Sequence, residues 1–66
     1  MELRINGQAH LHSGAPSIAA VLEALRLPDR AVLVELNGTA LRRDEWPAQV
    51  LKPGDGLEII RIVAGG

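Results

Sequence analysis

Two Asn-Gly pairs, Asn6-Gly7 and Asn37-Gly38, constrain this chain more than any other feature. Each stands between short runs of alternating apolar and polar residues. Both residue types accept positive φ, which a tight two-residue hairpin turn demands. Ahead of the first pair, Leu3 and Ile5 alternate with Glu2 and Arg4, the period of a half-buried strand. The return strand is predicted over Gln8 to His12, with Ala9 and Leu11 facing inward and His10 and His12 outward. Ahead of the second pair, Ala31 to Leu36 is rich in β-formers. Val32, Val34 and Leu36 fall on one side, Leu33 and Glu35 on the other, and a short strand over Thr39 to Leu41 follows.

Between the hairpins, Ser13-Gly14-Ala15-Pro16 reads as a loop and Ser17 as a helix N-cap. Ile18, Val21, Leu22 and Leu25 recur at i, i+3, i+4 and i+7, one apolar stripe of a short helix. Pro28 cannot extend that helix, so it is predicted to end near Leu27. Arg42 to Gln49 is too polar and broken for a strand, and Pro47 limits any helix. A turn or short 3₁₀ piece is expected there, with Trp46 covering one end of the core. Pro53-Gly54-Asp55-Gly56 is a turn, and Leu57 to Val63 the last strand. The order ββ-α-ββ-β predicts an α+β domain over residues 1–63, with a flexible tail over 64–66. The first and last strands would pair in parallel at the centre of a mixed sheet of four to five strands, with one helix across one face. This is the β-grasp, or ubiquitin-like, arrangement.

Composition narrows what such a domain can do. At 66 residues without a cysteine, it has neither disulfides nor thiol chemistry and depends on packing. Leu, Ile, Val and Ala supply that core, since Phe and Tyr are absent and Trp occurs once. Net charge is −1 and pI about 6, with no concentrated basic stretch, so no nucleic-acid partner is expected. No apolar run approaches transmembrane length and the N-terminus lacks a signal-peptide pattern, so no membrane association and a cytoplasmic location are expected.

No catalytic constellation emerges. Ser13 and Ser17 have loop and capping roles, and His10 with His12 would make only two ligands on one strand, too few for zinc. Asp44 and Glu45 are adjacent surface carboxylates, Glu45 being a candidate to pair with a nearby Arg. Gly54 and Gly56 surround an Asp and open a strand, which is not a phosphate loop. No metal site and no cofactor bound by this chain are expected. What remains is Gly65-Gly66 at the end of the sequence. A terminal carboxylate has a pKa of about 3.3–3.7, so it is ionised and a poor electrophile. Joined to AMP by a partner enzyme, its carbonyl becomes attackable, and sulfur delivery would yield a nucleophilic thiocarboxylate. Residues without Cβ suit threading into a narrow channel, and three extended residues reach roughly 10 Å.

Asn37-Gly38, Arg43, Glu45-Trp46, Leu51, Gly54-Asp55, Leu57-Glu58-Ile59, Val63 and Gly65-Gly66 together resemble the ThiS family, the sulfur carriers of thiamine thiazole synthesis. Arg43-Asp44-Glu45-Trp46 is the most discriminating segment, and the likeness spans nearly the whole chain. It implies a carrier and not an enzyme. A ThiF-type adenylyltransferase using ATP and magnesium would act on Gly66, with Gly65 beside it. A cysteine desulfurase or related donor would supply sulfur, and a ThiG-type thiazole synthase would receive it. Gly-Asp and Gly-Gly are shared with MoaD-type carriers of molybdopterin synthesis, which usually carry Phe. That carrier role, and a ubiquitin-like binding module or protein modifier, are the alternatives.

Strand alternation suggests where partners would dock. With Leu57 and Ile59 inward, Glu58, Ile60 and Ile62 point outward. Leu33 would extend the Ile60–Ile62 pair into an apolar patch rimmed by Glu35 and Glu58, with Ala64 leading from it to the glycines.

Overall fold

The computed structural model describes residues 1–63, and in it both Asn-Gly pairs close two-residue hairpins. Asn6 and Gly7 have φ of 52° and 81°, and Asn37 and Gly38 have 51° and 85°, so both central residues of each turn are left-handed. Strands β1 (Glu2–Ile5) and β2 (Gln8–Leu11) flank the first turn, and β3 (Val32–Leu36) and β4 (Thr39–Leu41) the second. Helix α1 (Ile18–Ala24) lies between the hairpins, and β5 (Gly56–Arg61) comes last. The sheet order is β2-β1-β5-β3-β4. Strand β5 is parallel to β1 and antiparallel to β3 at the centre, the β-grasp arrangement. The tail expected over 64–66 lies outside the described residues.

Packing follows the apolar periodicity. Leu3, Ile18, Val21, Leu22, Val34 and Leu57 are almost completely buried, each stabilising the fold by about 1.5–3 kcal/mol. Val32, Trp46, Leu51 and Ile59 complete the core. Ser17 caps α1 as expected, its Oγ accepting from the Ala20 N–H at 3.1 Å. Trp46 is buried on a 3₁₀ segment, Arg43–Ala48, as the broken polar stretch implied.

Three expectations are corrected. The first concerns β2. The two-residue turn pairs Ile5 with Gln8 and Leu3 with His10, so odd residues of β1 share a face with even residues of β2. Leu11 is therefore outward and 78% exposed, Ala9 is exposed, His10 is half-buried, and His12 is buried at 3%. His12 is not solvent-facing. Its Nε2–H donates to the Ala15 carbonyl at 2.7 Å, and its backbone exchanges hydrogen bonds with Met1. Gly14 lets the ring approach, because a Cβ there would stand 3.1 Å from His12 Cε1.

The second concerns the end of α1, which comes before Leu27. Arg26 adopts φ 57°, the Arg26 N–H donates to the Glu23 carbonyl, and the Leu27 N–H donates to the Leu22 carbonyl. This is a Schellman closure with Arg in the position glycine usually takes. A 3₁₀ turn, Asp29–Ala31, then leads into β3, which begins at Val32. The third concerns β5. It covers Gly56–Arg61 and not Leu57 to Val63, although the Ile62 N–H still donates to Ala31 at 2.7 Å.

Candidate functional site

Strand β5 does two things at once. Leu57 and Ile59 point into the core beneath α1, while Glu58 and Ile60 point to the uncovered face of the sheet. Across the β3–β5 pair, Ile60 stands directly opposite Leu33, and Glu58 directly opposite Glu35. Leu33 is 56%, Ile60 51% and Ile62 47% exposed, so the three form an uncovered apolar strip along the strand that leads to the last residues. Val63 is exposed as well. Glu58 is exposed and Glu35 half-buried. Like charges directly opposite each other on neighbouring strands are unfavourable, and no cation forms an ion pair with either carboxylate among the described residues. Ala64, Gly65 and Gly66 lie outside the described residues.

The position of β5 is fixed by the two turn asparagines. Strand β1 ends at Ile5, too short to follow β5 to its end. The Asn6 N–H donates to the Leu57 carbonyl at 2.9 Å, and the Asn6 amide then continues the ladder. Its Oδ1 accepts from the Ile59 N–H at 2.8 Å and its Nδ2 donates to the Ile59 carbonyl at 3.2 Å. On the other side, Asn37 Oδ1 accepts from the Gly56 N–H at 2.8 Å and its backbone N–H donates to the Gly56 carbonyl. Asn37 Nδ2 donates to Asp55 Oδ1 at 3.0 Å, and Asp55 Oδ2 accepts from the Lys52 N–H at 2.8 Å. These two bonds, the Asn37 amide first, hold the Asp55 carboxyl below the ordinary carboxylate range. Sequence reading placed both asparagines in turns but missed these clamps.

The remaining motif residues have structural work. Glu45 Oε1 accepts from the Arg42 N–H at 2.7 Å, closing the start of the second 3₁₀ segment. Arg42 pairs with Asp44 at 3.1 Å, and Arg43 ties that segment to Asp29 at 3.2 Å. A cleft of about 300 Å³ between the first hairpin and the end of α1 includes Ile5, His10, Leu25 and Ile59 in its lining. His10 is its one titratable group, which supplies no acid–base pair. No cluster of three or more metal-binding side chains occurs among the described residues. No helix among them is long and apolar enough to cross a membrane.

Known proteins fit this geometry. A crystal structure of the thiamine biosynthesis protein ThiS from Geobacter metallireducens is 35% identical, with TM-score 0.81 and full coverage of both chains. A solution structure of a thiamine biosynthesis protein from the same organism gives TM-score 0.80 at 35% identity, covering all of this chain and 88% of that one. Two proteins named thiazole synthase also match over 66 residues. One, from Paramagnetospirillum magneticum, is 32% identical, and one from Magnetococcus marinus is 27% identical. This chain spans about a fifth, 20%, of the length of each. The ThiS family pattern matches residues 3–66, through the terminal Gly-Gly pair, and the chain belongs to the ThiS family.

Proposed function

We propose that this protein carries sulfur for the thiazole ring of thiamine, with the Gly66 carboxylate as the reacting group. A ThiF-type enzyme binds the uncovered sheet face and draws Gly65-Gly66 into its site. A Gly66 carboxylate oxygen attacks the α-phosphorus of ATP, and magnesium pyrophosphate leaves. A persulfide sulfur from a cysteine desulfurase or a related donor then attacks the acyl carbon and AMP leaves. A thiol cleaves the resulting acyl disulfide, freeing the thiocarboxylate and leaving the donor as a disulfide. The thiocarboxylate passes its sulfur to substrate on a ThiG-type thiazole synthase.

The observation that carries this reading is the family match through Gly66, on a chain whose central strand presents an unpartnered apolar strip just before those residues. Stretches similar to the whole chain within longer proteins named thiazole synthase support the ThiG-type partner. Burial of Leu33, Ile60 and Ile62 against a partner offsets the cost of ordering the tail, about 1–2 kcal/mol per residue. A partner cation placed between Glu35 and Glu58 would relieve their repulsion.

Intact mass spectrometry tests the reading. Incubation with the source organism's ThiF-type enzyme, ATP, magnesium and sulfide is expected to replace one oxygen of the chain by sulfur, with the change confined to Gly66. A folded variant lacking Gly65-Gly66 is expected to stay unmodified. Absence of the change in the intact chain, or its presence in the truncated one, refutes the proposal.

A further inference from the structure

The two asparagines of this chain, Asn6 and Asn37, are each followed by glycine. That dipeptide carries a reaction of its own. The glycine backbone nitrogen, with no Cβ beside it, can attack the Cγ of the asparagine amide. The N–Cγ bond forms and the Cγ–Nδ2 bond breaks. The proton of the glycine N–H passes through water to Nδ2, which leaves as ammonia. Water then opens the cyclic imide, giving an aspartyl or isoaspartyl residue. The two turns start alike. Their backbones match, with φ of 52° and 81° in the first and 51° and 85° in the second. All four residues are exposed.

What differs is how each amide is held. To close the ring, the amide must turn from β5 to its own backbone, so its hydrogen bonds must break first. The Asn6 amide grips both backbone groups of Ile59, at 2.8 and 3.2 Å, in a part-buried position, and Ile59 belongs to the core. Both bonds of the Asn37 amide are exposed. Its Oδ1 accepts from the Gly56 N–H at 2.8 Å, and its Nδ2 donates to Asp55 Oδ1 at 3.0 Å. Water replaces such bonds as they break. The hairpins differ as well. Strands β1 and β2 share four paired positions, whereas β3 and the edge strand β4 share three. Short edge strands and solvent-exposed hydrogen bonds belong to the least costly local openings of a fold.

We propose that Asn37-Gly38 is a site of spontaneous deamidation in the folded protein, and that Asn6-Gly7 is protected by its hold on Ile59. The reaction needs only water, so it stands apart from the carrier reading above. At position 37 the product exchanges an amide donor for a carboxylate oxygen, facing the Asp55 oxygen that the donor met at 3.0 Å. The Asp55 carboxyl is held below the ordinary carboxylate range and is therefore ionised at neutral pH. Repulsion between the two carboxylates loosens the turn that opens β5, while Asn6 continues to hold the strand at Ile59.

Mass spectrometry of tryptic peptides reads both sites in one sample, since cleavage after Arg4, Arg26, Arg30 and Arg42 separates them. The protein is aged folded at neutral pH and, in parallel, unfolded in urea. In the folded protein, amide-to-acid conversion is expected to run about fivefold or more faster at Asn37 than at Asn6. In urea the two rates are expected to agree within about threefold, because the dipeptide is the same and neither amide is held. Equal folded rates, or faster conversion at Asn6, overturn the proposal. So does an Asn37 that stays intact while the urea sample converts fully. The same preference for Asn37 in urea overturns it too, by assigning the difference to flanking residues. Asp55→Ala removes the acceptor of Asn37 Nδ2 and is expected to speed conversion at Asn37 about twofold or more, with Asn6 unchanged and circular dichroism confirming the fold. An unmoved Asn37 rate in the folded variant also overturns the proposal. If the variant unfolds, the folded and urea rates of the wild type decide by the same criteria.

Discussion

Removing the Asn6 side chain tests how β5 is held. The Asn6 amide makes two hydrogen bonds to the Ile59 backbone, at 2.8 and 3.2 Å, in a partly buried position where β1 has already ended. Each bond contributes about 0.5–1.5 kcal/mol net, so Asn6→Gly is expected to cost about 1–3 kcal/mol. Glycine suits the φ of 52° at this position, so the loss reads the clamp and not backbone strain. Asn6→Ala adds the left-handed penalty of about 1–2 kcal/mol. Asn6→Asp keeps the acceptor but sets a carboxylate oxygen against the Ile59 carbonyl, so it should lose at least as much as Asn6→Gly. A domain of this size holds about 3–10 kcal/mol in total, so each change is large. Urea unfolding at constant m measures them, and each kcal/mol lowers Tm by about 4–8 °C. Exchange of the Ile59 amide proton reports the same bond directly. If Asn6→Gly stays within about 0.5 kcal/mol of wild type and Ile59 protection is unchanged, the clamp does not hold the strand.

Arg26→Gly removes a left-handed penalty of about 1–2 kcal/mol and loses part of it to unfolded-state entropy, so a net gain of about 0.5–1 kcal/mol is expected in urea titrations. Asp55 has a folded pKa below its unfolded value, so its contribution is complete above about pH 4 and is lost as pH falls through the lower folded value. Asp55→Asn should therefore flatten the acid side of the stability–pH curve, and an unchanged acid limb would contradict the assignment. Glu58→Gln relieves the opposed carboxylates, so it should raise stability by about 0.2–1 kcal/mol while weakening capture by the adenylating enzyme. Leu33→Ser with Ile60→Ser should leave Tm nearly unchanged and abolish modification of Gly66, and loss of the fold would show instead that the strip is structural.

Both hairpins, the Ser17 cap and the buried Trp46 are legible in the sequence because each rests on local chemistry, and the central parallel pairing of β1 with β5 follows from the order of the elements. An Asn-Gly pair needs no tertiary context to prefer a two-residue turn. The facing of β2 is equally local, yet alternation alone misassigned it. Two equal apolar phases, Ala9–Leu11 and His10–His12 with its amphipathic rings, compete there, and only the turn's pairing parity decides between them. Had Ile5 been set against Gln8 from the turn length, Leu11 would have been placed outward and His12 inward. The early end of α1 was hidden because Arg26 carries no sign of its left-handed φ, which is imposed by the hydrogen bonds that close the helix. The asparagine clamps were invisible for another reason. Asn6 and Asn37 reach β5 only because β1 and β5 run in the same direction while β3 ends where β5 begins.

That topology also explains why the exit point sits on β5. A strand paired on both sides is held along its length by its neighbours, whereas an edge strand has one free row of backbone groups and frays more readily. Leaving the fold from the central strand gives the last residues a fixed root, at the cost of needing partners for β5 beyond the end of β1. Asn6 supplies them on one side, and Ala31, through the Ile62 N–H, on the other. Loosening either contact should therefore affect capture of the tail before it affects the core beneath α1. Asn6→Gly should raise the KM of the adenylating enzyme for the carrier even at temperatures where the domain remains fully folded. A normal KM under those conditions would mean that the root need not be rigid, and that docking of the apolar strip alone positions the terminus.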